Sequence, residues 1–191
     1  TIPGKFGSIR YDDEGCPGQK TVLIKDGVLE EYMYDYETAR QEQRQSTGNG
    51  RRESYKCRPL PRMRNTYIAP GKTDPEEIIR AAGEALLVTA MGGGQVNTTT
   101  GDYVFDVAEG YLLQDGEVVF PVRGATLTGN GPETLRLVEM VGNDLGYNIG
   151  ICGKGGQGVP VADAQPTLYI KELIVGGTGQ VPGKEPKIRR I

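Results

Sequence analysis

The chain has 191 residues, 37% of them hydrophobic, with 29 glycines, 12 prolines and no tryptophan; that length buries a real core, and the composition predicts short strands and tight turns over a helical bundle. The net charge of −3 argues against a generic nucleic-acid binder, and no run approaches the roughly 18 apolar residues of a membrane span. Histidine is absent, so the chain by itself supports no Ser-His-Asp triad, no Cys-His dyad and no histidine metal site.

The first residues, Thr1-Ile2-Pro3-Gly4-Lys5-Phe6, carry no Met, charged leader or apolar signal core. The missing Met points to a fragment or a processed product. Phe6–Tyr11 alternates loosely and predicts a strand, followed by Asp12-Asp13-Glu14-Gly15, read as a solvated acidic turn because the spacing of a Ca²⁺ loop is missing. Lys20–Lys25 and Val28–Tyr34 flank Asp26-Gly27, the strongest short-range hairpin signal. Asp35–Gln45 predicts a short polar helix that stops at Ser46-Thr47-Gly48-Asn49-Gly50.

A basic segment follows, with Arg51, Arg52, Lys56, Arg58, Arg62 and Arg64. It reads either as a phosphate strip with Tyr55 and Tyr67 for stacking or as a solvated loop and edge strand. The acidic whole favours the second, so no direct nucleic-acid contact is expected. Asp74–Leu87 predicts the best helix: Asp74 caps it, Pro75 opens it, and Ile78, Ile79, Ala82 and Leu86 form its apolar stripe. Val88–Met91 and Gly92-Gly93-Gly94-Gln95-Val96 read either as a strand that lets another backbone come close or as an ordinary bulge or turn, which the residues alone favour. A second Asp-Gly hairpin joins Tyr103–Gln114 to Glu117–Leu127, a second main helix covers Glu133–Leu145, and Thr167–Val175 is a last strand. The fold expected is α+β: a large, mainly antiparallel sheet built from hairpins, with the two main helices packed on it.

Chemistry concentrates at Ile149–Pro160, where Cys152 sits among glycines 150, 153, 155, 156 and 158. The run predicts neither a core strand nor a helix, but an exposed turn holding one thiol. Cys152 is either a small buried hydrophobe or a thiolate ligand for a soft or borderline metal such as zinc. Gly153–Gly158 fits G-x-G-x-x-G, yet Pro160 and Pro166 leave no room for the helix a dinucleotide site requires. The three cysteines, Cys16, Cys57 and Cys152, are odd in number and include no Cys-x-x-Cys pair, which points to a reducing, cytoplasmic setting.

Several blocks now read together: Asp12–Gly15, Thr47–Tyr55, Pro61–Tyr67, Gly92–Val96, Pro121–Leu127, Val141–Leu145 and Cys152-Gly153-Lys154. In order and spacing they resemble the C-terminal half of the TldD branch of the TldD/PmbA family, historically called modulators of DNA gyrase. The resemblance implies a cytoplasmic zinc metallopeptidase acting on unstructured peptides, paired with a TldE/PmbA-type subunit. It implies a zinc held by two histidines of a His-Glu-x-x-x-His helix and by one cysteine, which Cys152 matches. The histidines and the glutamate match nothing in this chain, so the chain alone is expected to be inactive. Cys16 and Cys57 match no ligand and are read as structural or incidental. The domain expected is 1–178, with a basic, flexible tail over 179–191. Gly93, Gly94, Gln95 and Gly153 are candidates to hold an extended peptide by backbone pairing. The alternatives are a non-catalytic PmbA/TldE-like binding subunit and a gyrase-associated regulator.

Overall fold

The structure, a computed structural model, describes residues 2–177; the tail expected over 179–191 lies outside the described residues. The elements run β1 (Ile24–Lys25), β2 (Val28–Leu29), α1 (Tyr36–Gln41), β3 (Gly50–Arg51), β4 (Leu60–Pro61), β5 (Asn65–Tyr67), α2 (Pro75–Ala82), β6 (Ala85–Val96), β7 (Asp102–Gln114), β8 (Glu117–Val122), β9 (Ala125–Asn130), α3 (Gly131–Arg136), β10 (Val138–Val141), β11 (Gly146–Lys154), β12 (Gln157–Gln165), β13 (Leu168–Ile170) and β14 (Ile174–Gly177). The fold is α+β and mainly antiparallel, as the hairpin signals predict. Among the described residues β5 against β12 is the one parallel pair of named strands.

The chain forms two compact units. One takes the chain up to Ala69 together with Leu145–Gln165; the other takes Pro70–Asp144 and the chain from Pro166. In the first, β12 is the middle strand of β11-β12-β5. Val159 and Val161 are buried on one of its faces, Ala162 and Ala164 on the other. In the second, β7 is the spine of a five-stranded sheet. One side pairs with β6; the other pairs with β9 at Asp102–Asp106 and with β8 at Gly110–Gln114, and β14 extends β9. Val107, Ala125 and Leu127 form its buried core, packed by Leu86, Val88, Val122 and Leu173. α2 lies against β13 and α3 against β9.

Both Asp-Gly turns form. Asp26 and Gly27 have φ of 49° and 78°, Asp115 and Gly116 of 53° and 78°, the paired positive values that suit a two-residue hairpin to strand twist. The first hairpin is shorter than predicted, with two exposed residues per strand. Phe6–Tyr11 is not a strand; at its end Tyr11 makes an isolated bridge to Pro17.

The helices are shorter than their sequence patterns. α1 starts on Asp35, whose carboxylate accepts from the amide and hydroxyl of Thr38, and ends at Gln41 instead of Gln45. α2 starts as predicted, with Asp74 accepting from the Glu76 amide at 2.8 Å. It stops at Ala82 because Gly83 turns out at φ 63°, and its carbonyl accepts from the Gly116 amide at 3.1 Å. Leu86 then faces Leu112 on β7 and not the helix stripe. α3 ends at Arg136, and the β-branched Val138 and Val141 pair with Ile170 and Leu168. In both places strand pairing overrides local helix propensity.

Two glycines predicted together behave differently. A Cβ on Gly94 would sit 2.2 Å from Phe105 Cδ1 and 2.5 Å from the Val104 carbonyl oxygen, whereas a Cβ on Gly93 meets nothing within 4 Å. Gly94→Ala is therefore expected to cost about 1–3 kcal/mol by overpacking, and Gly93→Ala to be neutral or to gain up to about 1 kcal/mol; urea denaturation of the two variants checks this.

The second unit is closed at Asp144, whose carboxylate accepts from the Thr167 amide at 2.9 Å and the Thr167 hydroxyl at 2.6 Å. Burial pushes this carboxyl up, but the bonds from Thr167 outweigh it and hold it below the usual carboxylate range. A carboxyl depressed on folding stabilises above its unfolded pKa, and that contribution disappears as pH falls through the folded value. The stability gap between wild type and Asp144→Asn, read from urea midpoints, is expected to shrink as pH falls from neutral into the acid range.

Candidate functional site

The glycine-rich run is not a loop holding a thiol at its turn. It is a hairpin: Cys152 is a strand residue of β11, opposite Val159 of β12, and the turn falls at Gly155 and Gly156 with φ of 58° and 73°. The two closing glycines supply the backbone that L-residues avoid, so nine residues on either side pair without interruption. Directly opposed residues share a face; Cys152 therefore sits on the face of the buried Val159 and is itself half-buried. Strand–turn–strand also agrees with rejecting a dinucleotide motif at Gly153–Gly158.

Three arginines of the basic segment lie inside this unit and form neither a phosphate strip nor a solvated face. Arg51, Arg62 and Arg64 are 5%, 1% and 5% exposed. Arg51 Nη1 donates to the carbonyls of Met63 at 2.6 Å and Pro160 at 2.7 Å. Arg62 Nη2 donates to the carbonyl of Cys152 and, at 3.0 Å, to that of Gln157. Arg64 Nη2 donates to the carbonyls of Gln19 at 3.0 Å and Thr47 at 3.3 Å. Burial pulls the guanidinium of Arg51 below its ordinary range; Asp13 and Cys152 oppose the shift, while Arg62 and Arg64 add to it. Burial does the same to Arg64, against Asp12.

The acidic turn is likewise not simply solvated. Asp12 is 6% exposed, and its carboxylate accepts from the amides of Glu14, Cys16 and Gly50. Asn49 closes the frame: its side chain donates to the Arg62 carbonyl at 2.7 Å, and the Arg62 amide donates to the Asn49 carbonyl at 2.8 Å. Blocks far apart in sequence thus converge on the hairpin that carries Cys152. Sequence reasoning missed Asp12, Asn49, Arg51, Arg62 and Arg64 as internal residues. The available signal was the choice of Arg over Lys at 51, 62 and 64, since Arg is the cation suited to buried, multiply bonded positions.

The predicted peptide-holding residues fall in both units. Gly153 neighbours Cys152 on β11, and a Cβ there meets nothing within 4 Å. Gly93, Gly94 and Gln95 lie on β6, whose outer edge has no strand partner among the described residues. Cys16 and Cys57 are free thiols; the Cys57 sulfur lies 3.7 Å from the Ser54 hydroxyl. Among the described residues no three His, Cys, Asp or Glu side chains gather as a metal-holding group. The residues present therefore fit a single thiolate donor to zinc, not a complete site. Among them, too, no helix is long and apolar enough to cross a membrane.

This architecture is that of a metallopeptidase C-terminal domain: the model of the PmbA/TldA metallopeptidase C-terminal domain matches residues 1–177. The chain belongs to that family, the PmbA/TldD metallopeptidases. It is 47% identical over 180 residues to the metalloprotease TldD homolog of Haemophilus influenzae and 46% identical over 180 residues to that of Buchnera aphidicola from Acyrthosiphon pisum; each match covers 93% of this chain and 37% of the relative. A zinc metalloprotease TldD homolog of Saccharolobus solfataricus is 36% identical over 169 residues, covering 88% of this chain and 38% of the relative. The chain thus spans little more than a third of the length of the curated relatives it matches. Among solved structures, Thermotoga maritima TM0727, described as a modulator of a DNA gyrase, aligns with a TM-score of 0.72 at 27% identity, over 89% of this chain and 36% of its own. TldE from Thermococcus kodakarensis aligns with a TM-score of 0.72 at 24% identity, over 88% and 36%, a likeness of fold.

Removing the Arg51 guanidinium strands two carbonyls. Arg51→Met is expected to destabilise by about 1–3 kcal/mol, the cost of orphaned polar groups; the shift in urea midpoint measures it.

Proposed function

We propose that this chain is the C-terminal part of a zinc metallopeptidase that cleaves unstructured peptides, and that Cys152 is one protein donor to the zinc. The observation that carries the proposal is Cys152 itself. It falls within the stretch matched by the family model, on a strand whose backbone is held from inside by a buried guanidinium, with its side chain neither sealed in the core nor loose in solvent. Thiolate sulfur suits zinc, and a relative is named a zinc metalloprotease. The two histidines and the glutamate implied by the resemblance belong to sequence outside this chain. Zinc at such a site supplies Lewis acidity and an acidified water; this chain supplies a fixed sulfur and part of the peptide cleft.

The peptide-holding role rests on two features. Gly93 and Gly153 have open space where a Cβ would stand, so neither glycine is required by local packing. The unpaired edge of β6 offers main-chain donors and acceptors to an extended chain, which suits a substrate lacking structure of its own. We place the complete protein in the cytoplasm, working with a TldE/PmbA-type subunit. The identities of 46% and 47% to proteins named metalloprotease favour the catalytic branch over a binding-only subunit. Three internal cations, Arg51, Arg62 and Arg64, are not available to phosphates, which weakens the gyrase-regulator reading.

The test uses the complete polypeptide. Cys152→Ser is expected to lower zinc content, measured by atomic emission, and to abolish chelator-sensitive cleavage of an unfolded protein, while the isolated chain cleaves nothing. Full zinc and full cleavage in Cys152→Ser refute the ligand assignment; robust cleavage by the isolated chain refutes its dependence on residues outside it.

A further inference from the structure

The tip of the β11–β12 hairpin reads Gly153-Lys154-Gly155-Gly156-Gln157-Gly158. Glycine loses the most conformational freedom on ordering, and glycine-rich strands specify their register weakly. A slip of one residue moves every side chain to the opposite face. For Cys152 that slip would replace the Val159 side of the sheet with the far side, so something must fix the register near this tip. Buried Val159 and Val161 pin β12, but packing holds β11 less: its Ile149 and Ile151 are 72% and 66% exposed, and a Cβ on Gly153 would meet nothing within 4 Å.

We infer that Arg62 is the positioning residue for Cys152, a register lock that holds the thiol on its face of the hairpin. The inference rests on the ligand reading above. One nitrogen, Nη2, joins a carbonyl on each strand, that of Cys152 on β11 and that of Gln157 on β12. The two acceptors straddle the turn, so a shift of either strand breaks a bond. The first acceptor belongs to the cysteine itself, so the lock acts on the backbone of the residue that carries the sulfur. Arg62 is in turn fixed, 1% exposed and tied through both its amide and its carbonyl to Asn49. Its Nε and Nη1 are buried with no acceptor among the described residues. A buried cation with idle donors costs stability, and a positioning role accounts for its retention. Exposed straps add to the lock: Gln157 Nε2 donates to the Arg58 carbonyl at 3.0 Å, Gln157 Oε1 accepts from the Glu53 amide at 3.1 Å, and Lys154 Nζ donates to the Pro61 carbonyl at 3.1 Å.

The experiment compares Arg62→Met, Arg62→Lys, Gln157→Ala, Cys152→Ser and, as a stability control in the other unit, Leu113→Ala, all in the complete polypeptide. Three readouts are taken: urea stability, amide hydrogen exchange across Ile149–Val161, and Cd²⁺ titration followed by the thiolate-to-metal ultraviolet band. Arg62→Met is expected to weaken Cd²⁺ binding by about 10–100-fold, the usual loss when a second-layer contact of a metal ligand is removed, and to speed hairpin exchange. Arg62→Lys, which keeps a cation but not the planar fork, is expected to fall between Arg62→Met and wild type. Gln157→Ala shows the same losses in smaller measure and keeps the test open if Arg62→Met does not fold. Leu113→Ala loses stability with its Cd²⁺ affinity unchanged. Wild-type exchange and affinity in both Arg62→Lys and Gln157→Ala overturn the inference, as does an equal affinity loss in Leu113→Ala. Should Cys152→Ser keep the band, the ligand reading falls, while hairpin exchange in the Arg62 variants still decides the register lock.

Discussion

The first unit depends on guanidinium groups buried against main-chain carbonyls. A cation withdrawn from water is tolerated only when its hydrogen bonds and nearby charges offset the lost hydration. Here the acceptors are the carbonyls of Met63, Pro160, Cys152, Gln157, Gln19 and Thr47, and the opposing charge comes from Asp12 and Asp13. Acidic turn, basic segment and glycine-rich hairpin are thus one electrostatic object. Asp12 in turn organises the Gly50 amide at the start of β3, so loss of any one block leaves the others with buried polar groups to satisfy.

Such a frame fixes the backbone around Cys152. Side chains mounted on strands hold their geometry better than those on loops, and Cys152 is a strand residue whose partner, Val159, is buried. The second unit has another character. Its five-stranded sheet leaves the outer side of β6 without a strand partner among the described residues, and the register of β6 against β7 shifts at Val88, Ala90 and Met91. Bulges of this kind bend an edge strand and re-aim its groups. One unit is thus braced from inside, while the other keeps an unpaired edge.

Much of the fold was legible because its signals are local. Asp26-Gly27 and Asp115-Gly116 formed the hairpins their dipeptides announce, and Asp74-Pro75 opened a helix. Helix ends were less legible. Leu86 fits a helical stripe and also a strand, and the choice was made by Leu112 on β7, 26 positions away, which no window on the sequence contains. The setting of Cys152 was not legible: its glycine-rich run reads as a loop, because the order comes from pairing with β12 across a turn at Gly155 and Gly156. The internal arginines were hidden because charge reads as surface; beyond the choice of Arg over Lys, it is the carbonyls around each guanidinium that reveal the interior.

Neither unit is a continuous piece of chain. Arg51 finds the Pro160 carbonyl 109 positions later, and Arg62 finds that of Cys152 90 positions later. During synthesis the segment up to Ala69 therefore waits, its guanidinium groups hydrated, while the strands of the other unit are made. It can close only after Leu145–Gln165 has emerged. Such long-range closure is slow, and it ties the ordering of the strand that carries Cys152 to segments made long before it.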